Sequence, residues 1–567
     1  MREVPRPSET PFRQDEIQAP SNSRVKVTTL PIAECYPITV APGMSRLYLD
    51  YCSGVAAARA FYGGSDPDSW RRARVGRPAH WAKLVSILEE QNPQVQNSGA
   101  AGPLEAMRRG AGTVLTGQQV TLFGGPLFTP LKAATALARA RKATASGDPH
   151  VGIFWLASED HDFAEIQSVA FPARRELRTL KYEKAPAAAV PVGGLVLDES
   201  VTTLLDQAGE LMGYSDALEA LTEAYKPGHT WAQAFGDFYR KVFAAQGLLV
   251  FDADSRAVHG LGAPVLQAGL ERADELNAAL LERGAELTAA GYHVQVAVAP
   301  HSSLLFLIDE KTGARVGLKR VAPSAAEPDG VWQAGREKYS TAELVGILAS
   351  QPERISPSAL LRPVFQDFLF GTSLTIGGPA EIAYFAQSAV LFERILGRMT
   401  AVQARFSATV VEPDIGELLR RHELPLERVF SETQDSLAQL LAARAMPVEG
   451  KRKLAAAGTA LDAELTDLLE WTNRLDPELG RSAGTAASKM RYQMNRLRRL
   501  AANFQLQREE SLGRHAAAIS TSLHPNGHLQ ERVHGAAWYL ARHGFELVEE
   551  FVARAADECA GHTAIWM

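Results

Sequence analysis

Residues 112–162 read GTVLTGQQVTLFGGPLFTPLKAATALARARKATASGDPHVGIFWLASEDHD, and this segment predicts the central unit of the fold. It opens with a short apolar, β-branched run at 113–115, passes through glycine-bearing turns and continues into an alanine-rich stretch at 131–145, which predicts a helix. Residues 151–156 form a second apolar run, bounded by turn and charged residues as a buried strand is. Strand, helix and strand in this order predict a βαβ unit with parallel strands and a right-handed crossover. The predicted fold class is therefore α/β.

Further strands of the same parallel sheet are predicted along the chain. Residues 247–251 form an apolar run that ends at an aspartate, and residues 374–376 lead into a glycine pair. A strongly helical stretch follows at 380–396, and residues 408–411 are predicted to add a last strand. An insertion interrupts this core, and its predicted short strands are 293–298, 303–308 and 315–318.

The character of the sequence changes after Pro413, where strand signals give way to alanine, leucine, arginine and glutamate. Two sets of mostly apolar residues recur at alternating spacings of four and three, as in heptads: 461, 465, 468, 472, 475 and 490, 494, 497, 501, 504. The segment 476–480 between them contains a proline and a glycine, so two long helices are predicted to fold back as an antiparallel coiled-coil hairpin. Two core helices of a compact bundle are the alternative. An exposed apolar seam would favour self-association.

These patterns divide the chain into regions. The predicted division is a disordered N-terminus at 1–24, a Rossmann-type catalytic core at 25–413 with inserted subdomains around 170–245 and 256–345, an α-helical coiled-coil domain at 414–519, and a segment at 520–567 that packs back on the core.

Composition excludes several classes of protein. The chain has 567 residues, 46% of them hydrophobic and 22% charged, as in ordinary globular proteins. Its net charge of −6 gives no attraction to nucleic acid or to an anionic membrane, and no run of about 18 apolar residues could span a bilayer. The three cysteines are too scattered for a disulfide framework and lack metal-ligand spacing. Few thiols in a long chain predict a cytoplasmic protein.

Glycine turns at strand ends predict an anion site. The first region contains Thr116, Gly117, Gly124, Gly125 and Pro126, and it delivers a helix N-terminus beside the carboxyl edge of the sheet. Free backbone N–H groups and the helix dipole favour phosphate or carboxylate there. The region matches neither G-x-G-x-x-G nor the Walker A pattern, so no nucleotide class follows from it. A tight turn that packs the helix on the sheet is the alternative.

A second glycine turn repeats this arrangement. Gly377 and Gly378 precede a proline and a helix, as the glycine pair at 124–125 does. Two such turns at neighbouring strand ends would face one crevice, where ligands bind in open α/β sheets.

Four ionisable residues, Glu159, Asp160, His161 and Asp162, follow the strand at 151–156. Their carboxylates could hold an ammonium group, accept a proton from an attacking amine or bind magnesium, and the histidine could act as an acid or a base. A charged turn that caps a helix is the alternative. No second cluster has metal-ligand spacing, so no metal site is predicted.

Five stretches resemble the bacillithiol-biosynthesis cysteine-adding enzymes. They are TGQQVTLFGGPLFTPLKA (116–133), FWLASEDHDFAEI (154–166), LRPVFQDFLFGT (361–372), IGGPAEIAYFAQ (376–387) and HPNGHLQERV (524–533). The resemblance implies a Rossmann-type core related to class I aminoacyl-tRNA synthetases, with inserted connecting regions and a coiled-coil domain that forms a homodimer. It also implies the reaction, in which the carboxyl group of cysteine is joined to the glucosamine nitrogen of glucosaminyl-malate.

The resemblance leaves the energy source open, because the chain has no His-x-Gly-His signature and no Lys-Met-Ser-Lys-Ser loop. Joining a carboxylate to an amine in water is uphill without activation, so adenylation of cysteine by ATP is the most economical hypothesis. A nucleotidyltransferase or ligase that activates another small acid is an alternative, and so is a coiled-coil scaffold. Against the scaffold, such proteins need no glycine turns at strand ends.

Roles for single residues complete the hypothesis. The acidic cluster would hold the amine and take its proton, and the glycine turns would cradle phosphate or carboxylate groups. Arg362 and Lys132 are the cations predicted to bind the malate carboxylates, although a structural ion pair is the alternative for Arg362. The residues predicted to orient sugar hydroxyls are Gln118, Gln119, Gln366, Glu381 and Tyr384.

Overall fold

The computed structural model describes residues 31–63, 70–73, 76–97, 102–173, 176–321 and 331–567. The N-terminus predicted to be disordered, 1–24, lies outside the described residues. The strands are β1 (Ile32–Tyr36), β2 (Gly112–Gln118), β3 (His150–Leu156), β4 (Ser168–Pro172), β5 (Leu177–Lys181), β6 (Leu249–Asp252), β7 (Ser302–Ile308), β8 (Arg315–Val321), β9 (Val331–Ala334), β10 (Glu337–Tyr339), β11 (Ile355–Pro357), β12 (Leu374–Gly377), β13 (Ala401–Ala404), β14 (Ala408–Val411) and β15 (His562–Trp566).

Helices account for most of the remaining chain. They are α1 (Arg46–Cys52), α2 (Ala56–Arg59), α3 (Trp81–Gln91), α4 (Pro93–Asn97), α5 (Gly102–Arg108), α6 (Phe128–Ala145), α7 (Phe163–Ile166), α8 (Ser200–Met212), α9 (Asp216–Ala224), α10 (Trp231–Val242), α11 (Arg256–Glu271), α12 (Ala273–Ala289), α13 (Thr341–Ser350), α14 (Arg362–Phe370), α15 (Pro379–Leu396), α16 (Pro413–Arg421), α17 (Leu426–Ser431), α18 (Gln434–Ala445), α19 (Val448–Leu475), α20 (Pro477–Arg508), α21 (Glu510–Leu523), α22 (Gln530–Val533), α23 (Ala536–His543) and α24 (Glu546–Ala556). No described helix is long and apolar enough to cross a membrane.

A five-stranded parallel sheet forms the core, in the order β13-β12-β2-β3-β6. Strand β3, which lies between β2 and β6, is buried at every residue, which explains its unbroken apolar sequence. The βαβ unit β2-α6-β3 is as predicted, and so are strands β6 and β12. The carboxyl ends of β2, β3 and β12 therefore lie side by side at one edge of the sheet.

The strand at 408–411 forms as predicted, but the expectation that it extends the core sheet is wrong. It pairs in parallel with β15 in a separate sheet of order β1-β15-β14, and the unpredicted strand β13 takes the edge of the core sheet. The chain leaves the core between these strands because buried Glu531 binds the Ser407 hydroxyl and the Ala408 N–H, each at 2.9 Å.

The insertion contains a five-stranded antiparallel sheet of order β10-β9-β8-β7-β11. Strands β7 and β8 match their predictions, but the strand predicted at 293–298 is absent. The side-chain amide of Gln387 accepts from the Val296 N–H at 2.9 Å and donates to the Val296 carbonyl at 2.8 Å. This side chain therefore satisfies the backbone groups that a neighbouring strand would otherwise bind.

Helices α19 and α20 form the predicted antiparallel hairpin, and Asp476 caps α20 by accepting from Glu478 N at 2.7 Å and Leu479 N at 2.9 Å. The predicted seam is only partly correct. Leu465 and Thr472 are buried, and small residues of the facing helix, Gly480 and Ala487, complete the contact. Small residues let the two helices approach closely, so larger apolar side chains remain outside: Leu468, Leu475, Met490, Leu497 and Phe504. We call these five residues the outer stripe.

The two ends of the described chain meet in the small sheet, where β15 lies between β1 and β14. This pairing brings Cys35 and Cys559 together in a disulfide across 524 residues. One disulfide is not the framework that the scattered cysteines were expected to lack, but it shows that distance along the sequence says little about distance in the fold. Because of this disulfide, the small number of cysteines no longer supports a reducing compartment. Cys52 is the free cysteine, and burial raises the pKa of its thiol to about 11.

Candidate active site

A cavity of about 440 Å³ opens at the carboxyl edge of the core sheet, a size typical of small-molecule sites. It is lined by the ends of β2, β3 and β12, by the first turns of α14 and α15, and by α22. The structure brings eleven of the predicted site residues to this lining: Thr116, Gly117, Gln118, Gln119, Lys132, Asp160, Arg362, Gln366, Gly378, Glu381 and Tyr384.

The glycine pair at 124–125 lies outside the lining, with Pro126. The N–H of Gly124 donates to the Tyr225 hydroxyl at 3.0 Å, and its carbonyl accepts from the Tyr239 hydroxyl at 2.7 Å. The Gly125 carbonyl accepts from Ala536 N at 2.9 Å. Positive φ angles of 79° and 70° at the two glycines explain the residue type. This turn is used to pack α10 and α23 against the core.

The second glycine turn contributes one glycine to the cavity. Gly377, the last residue of β12, is buried, and its carbonyl accepts from Arg405 N at 2.8 Å. Gly378 faces the cavity and begins α15, where its N–H donates to the Glu381 carboxylate at 2.7 Å. The first intrahelical bond runs from Ile382 N to the Gly378 carbonyl at 2.9 Å. Pro379 has no N–H, so the N–H groups of Ala380 and Glu381 are the ones that precede this bond at the cavity end of the helix.

The four residues of the acidic cluster, 159–162, have different surroundings, and among them only Asp160 lines the cavity. It forms an ion pair with Arg362 at 2.5 Å, and Arg315 lies 3.7 Å away. Burial by itself would raise the pKa of Asp160, but the two guanidinium groups outweigh this effect and the pKa is lowered. Asp160 is therefore a permanent carboxylate at neutral pH.

Glu159 points away from the cavity, into the protein. Its Oε1 lies 2.9 Å from Nε2 of His259 on α11, and both side chains are almost completely buried. The His259 Nδ1 donates to the Ile355 carbonyl at 2.9 Å, so both ring nitrogens carry protons. Burial would lower the pKa of His259, but Glu159 raises it to about 9. This pair fixes the backbone next to Asp160 and ties it to the insertion.

His161 and Asp162 also lie outside the cavity lining. The guanidinium of Arg315 donates to Nδ1 of His161 at 3.2 Å, and burial together with this cation lowers the pKa of the imidazole. Asp162 caps α7 and accepts from Glu165 N at 3.3 Å. His161 is therefore neutral near pH 7, and its Nδ1 is already occupied.

Arg315, which sequence reasoning missed, comes from strand β8 of the insertion. Its guanidinium donates to the Ser356 hydroxyl at 2.9 Å and to the Pro357 carbonyl at 2.8 Å, and it stacks 3.8 Å from the centre of the Phe306 ring. Burial lowers its pKa to about 10, so it remains a cation at neutral pH. No local pattern in the sequence distinguishes this arginine from others in short strands.

Lys132 is buried and bound on several sides. Its Nζ lies 2.6 Å from the Glu381 carboxylate and donates to the Gly117 carbonyl at 2.6 Å and to the Gln118 side chain at 3.0 Å. Burial lowers the pKa of Lys132 although Glu381 opposes this. The lysine therefore joins the turn after β2 to the start of α15, and does not point freely into the cavity.

The cavity contains three further charged residues that sequence reasoning did not assign: Glu165, Arg405 and Arg532. The Glu165 carboxylate accepts from the Gln119 side chain at 2.8 Å and has no cationic partner among the described residues. Arg405 is held by Glu531 through bonds of 2.9 and 2.5 Å. Glu531 and Arg532 belong to the segment 524–533, and the resemblance of this segment to the family was the signal in the sequence that could have identified them. Among the described residues, no group of three or more histidines, cysteines or carboxylates could hold a metal ion.

Comparison with known proteins identifies the family. The model for "Bacillithiol biosynthesis BshC, N-terminal Rossmann-like domain" matches residues 32–406, and the model for its "C-terminal coiled-coil domain" matches residues 408–565. The chain belongs to the BshC family. The resemblance seen in the sequence and the Rossmann-like core with a coiled coil are thereby confirmed, and the names of the relatives below confirm the prediction of a ligase.

Relatives named "Putative cysteine ligase BshC" match along most of the chain. The relative from Koribacter versatilis is 37% identical over 94% of this chain and 99% of its own length, and the relative from Solibacter usitatus is 33% identical over 86% and 89%. The relative from Geobacillus kaustophilus is 27% identical over 93% and 98%. A solved Campylobacter jejuni chain whose title names an arginyl-tRNA synthetase covers 84% of this chain and 98% of its own, at 10% identity and a TM-score of 0.20, too low to support a comparison.

Proposed function

We propose that the protein joins the carboxyl group of L-cysteine to the amine of glucosaminyl-malate. The observation that carries this proposal is the cavity at the carboxyl edge of a Rossmann-like sheet, which contains both a carboxylate without a cationic partner and a cation without an anionic one, among the described residues. The relatives are named as cysteine ligases, which supports cysteine as a substrate, and the family belongs to bacillithiol biosynthesis. A site that binds zwitterionic cysteine together with an amine-bearing anion needs charges of both signs.

The residues present fit an anionic group beside α15. The helix N-terminus faces the cavity, and N–H groups before the first intrahelical bond favour phosphate or carboxylate. No described feature selects adenine. ATP, when bound, would supply the energy of the reaction by adenylating the cysteine carboxyl group, and α15 would hold its phosphates.

Two carboxylates are proposed to receive the amine. Asp160 stays ionised and is fixed by Arg362, so it can accept a hydrogen bond from the amine in one orientation. Glu165 has no cationic partner among the described residues and can hold an ammonium group or take its proton. The neutral His161, which lies outside the lining, is a less suitable base than the sequence alone suggested. Positioning of the two substrates then supplies much of the rate.

A second copy of this chain is the partner that we propose for the outer stripe. The outer stripe has two residues on α19 and three on α20, spaced seven apart on each helix as in the contact face of a coiled coil, and exposure of such a face to water is unfavourable. We also propose a cytoplasmic location, because ATP is a cytoplasmic metabolite.

Incubation of the protein with cysteine, ATP and glucosaminyl-malate tests the reaction. Mass spectrometry should detect the cysteinyl amide of the amino sugar, and nucleotide analysis should detect AMP and pyrophosphate in equal amounts. An amide formed with ADP as the nucleotide product would contradict adenylation. Absence of the amide with a folded protein would contradict the cysteine ligase.

Asp160→Asn tests the site. We expect turnover to fall at least about 100-fold, because the neutral amide attracts an ammonium group only weakly and leaves Arg362 without an anionic partner. Asp216→Asn, an exposed aspartate in the first turn of α9, is the matched control and should keep wild-type turnover. Circular dichroism shows whether Asp160→Asn is folded. Wild-type turnover of a folded Asp160→Asn variant would remove Asp160 from the site.

A further inference from the structure

Four cationic side chains line the active-site cavity, and three of them are already paired with a carboxylate of the protein. These pairs are Lys132–Glu381 at 2.6 Å, Arg362–Asp160 at 2.5 Å and Arg405–Glu531 at 2.5 Å. An anionic ligand that took one of these cations would leave its carboxylate unpaired in a poorly solvated place, which is strongly unfavourable. The paired cations therefore fix the shape of the cavity rather than attract an anion.

Arg532 is the fourth cation, and its guanidinium differs from the other three. It is exposed to solvent at the cavity, and it makes no ion pair or side-chain hydrogen bond within the described chain. Its charge is therefore available to a ligand, and the ligand need not displace a carboxylate of the protein.

The backbone that carries Arg532 is fixed on both sides. The amide of Gln530 accepts from Val410 N and donates to the Val410 carbonyl, each at 2.8 Å, and Glu531 is fully buried against Arg405. The imidazole of His534 bonds the Tyr539 hydroxyl at 2.7 Å and the Thr521 carbonyl at 2.9 Å. Three buried neighbours thus present one exposed arginine, which lowers the entropy lost when a ligand binds.

We propose that Arg532 recognises the malate carboxylates of the amino-sugar substrate and so determines its specificity. This inference rests on the proposed function. A guanidinium forms two parallel hydrogen bonds with a carboxylate, and the malate arm carries two carboxylates. An arm with two negative charges needs a cation that no carboxylate of the protein already neutralises, and Arg532 meets this requirement. Glu165, the carboxylate without a cationic partner among the described residues, suits the amine of the substrate.

Arg532→Gln tests the inference through the Michaelis constants of the substrates. We expect KM for glucosaminyl-malate to rise about 10- to 100-fold, as loss of hydrogen bonds to a charged group predicts, while kcat and the KM values for cysteine and ATP change less than about threefold. Arg532→Lys should be intermediate, because lysine keeps the charge without the two-bond geometry. Glucosamine without the malate arm should give the same kcat/KM with the wild type and with Arg532→Gln.

Two results would overturn the inference. One is an unchanged KM for glucosaminyl-malate in Arg532→Gln. The other is a rise confined to the KM for ATP, which would assign Arg532 to a phosphate. Arg336→Gln, an exposed arginine between β9 and β10 without an ion pair in the described chain, is the matched control.

Calorimetric titration with glucosaminyl-malate alone separates this inference from the proposed function, because it needs no turnover. The dissociation constant should be about tenfold or more weaker for Arg532→Gln than for the wild type. If that difference is found but the wild type forms no cysteinyl amide, the proposed reaction fails and the role of Arg532 stands. Equal binding by the two proteins would refute the role of Arg532.

Discussion

The buried pair of Glu159 and His259 ties stability to pH at the scale of single residues. Because its pKa is raised from 6.5 to about 9 in the folded protein, His259 contributes stability that is fully present below pH 6.5 and is lost as the pH rises through 9. Both side chains are almost completely buried, so solvent screens their attraction little. A shift of this size corresponds to a contribution of about 3 kcal/mol.

His259→Gln should remove this pH dependence. We expect the free energy of unfolding of the wild type to fall by about 3 kcal/mol more than that of the variant between pH 6.5 and pH 9.5. At pH 6.5 the variant should be less stable by about 3–5 kcal/mol, because Glu159 loses its partner. Urea titrations at the two pH values measure both quantities. His293→Gln, an exposed histidine, is the control, and equal pH dependence in wild type and His259→Gln would contradict the ion pair.

At the scale of elements, the predicted strands that form the core sheet are those whose residues are mostly buried. The apolar runs of β2, β3, β6 and β12 are bounded by turn or charged residues, and each forms in the core sheet. The prediction fails where a distant side chain satisfies the backbone, as Gln387 does at Val296. It also misplaces a strand whose partner, β15, comes last in the described chain, because local sequence does not record long-range pairing.

The same distinction holds in the candidate site. The residues at the ends of β2, β3 and β12 directly follow apolar runs, so the sequence predicts that they share one edge of the sheet. Arg315 and His259 come from the insertion, where single charged residues stand in no pattern. Their importance depends on three-dimensional contacts alone.

The disulfide between Cys35 and Cys559 should stabilise the small sheet of β1, β14 and β15. Because it closes a loop across 524 residues, reduction should lower the free energy of unfolding by about 2–4 kcal/mol. Thermal unfolding with and without dithiothreitol measures this difference. Cys35→Ser should be insensitive to the reductant, and Cys52→Ser should respond as the wild type does. Three reactive thiols in unreduced, denatured protein would contradict the disulfide.

At the scale of the whole molecule, the outer stripe should control self-association. Phe504, which is 65% exposed, lies on this stripe, and a charge there would have to be buried in the contact between two copies. We expect Phe504→Asp to convert dimers to monomers in analytical ultracentrifugation, with a dissociation constant at least about 100-fold weaker. Asn503→Asp adds the same charge one residue away and should remain dimeric. A monomeric wild type would contradict the proposed partner.

The pairing of β1 with β15 has a consequence for synthesis of the chain on the ribosome. The two cysteines that this pairing joins are 524 residues apart, so β1 leaves the ribosome long before its partner exists. At about 5–20 residues per second, the first strand waits roughly half a minute to two minutes with an unpaired edge and a free thiol. Glu531 and Arg532 are translated after every strand of the core sheet, so the nascent chain can complete that sheet before it can assemble a working cavity.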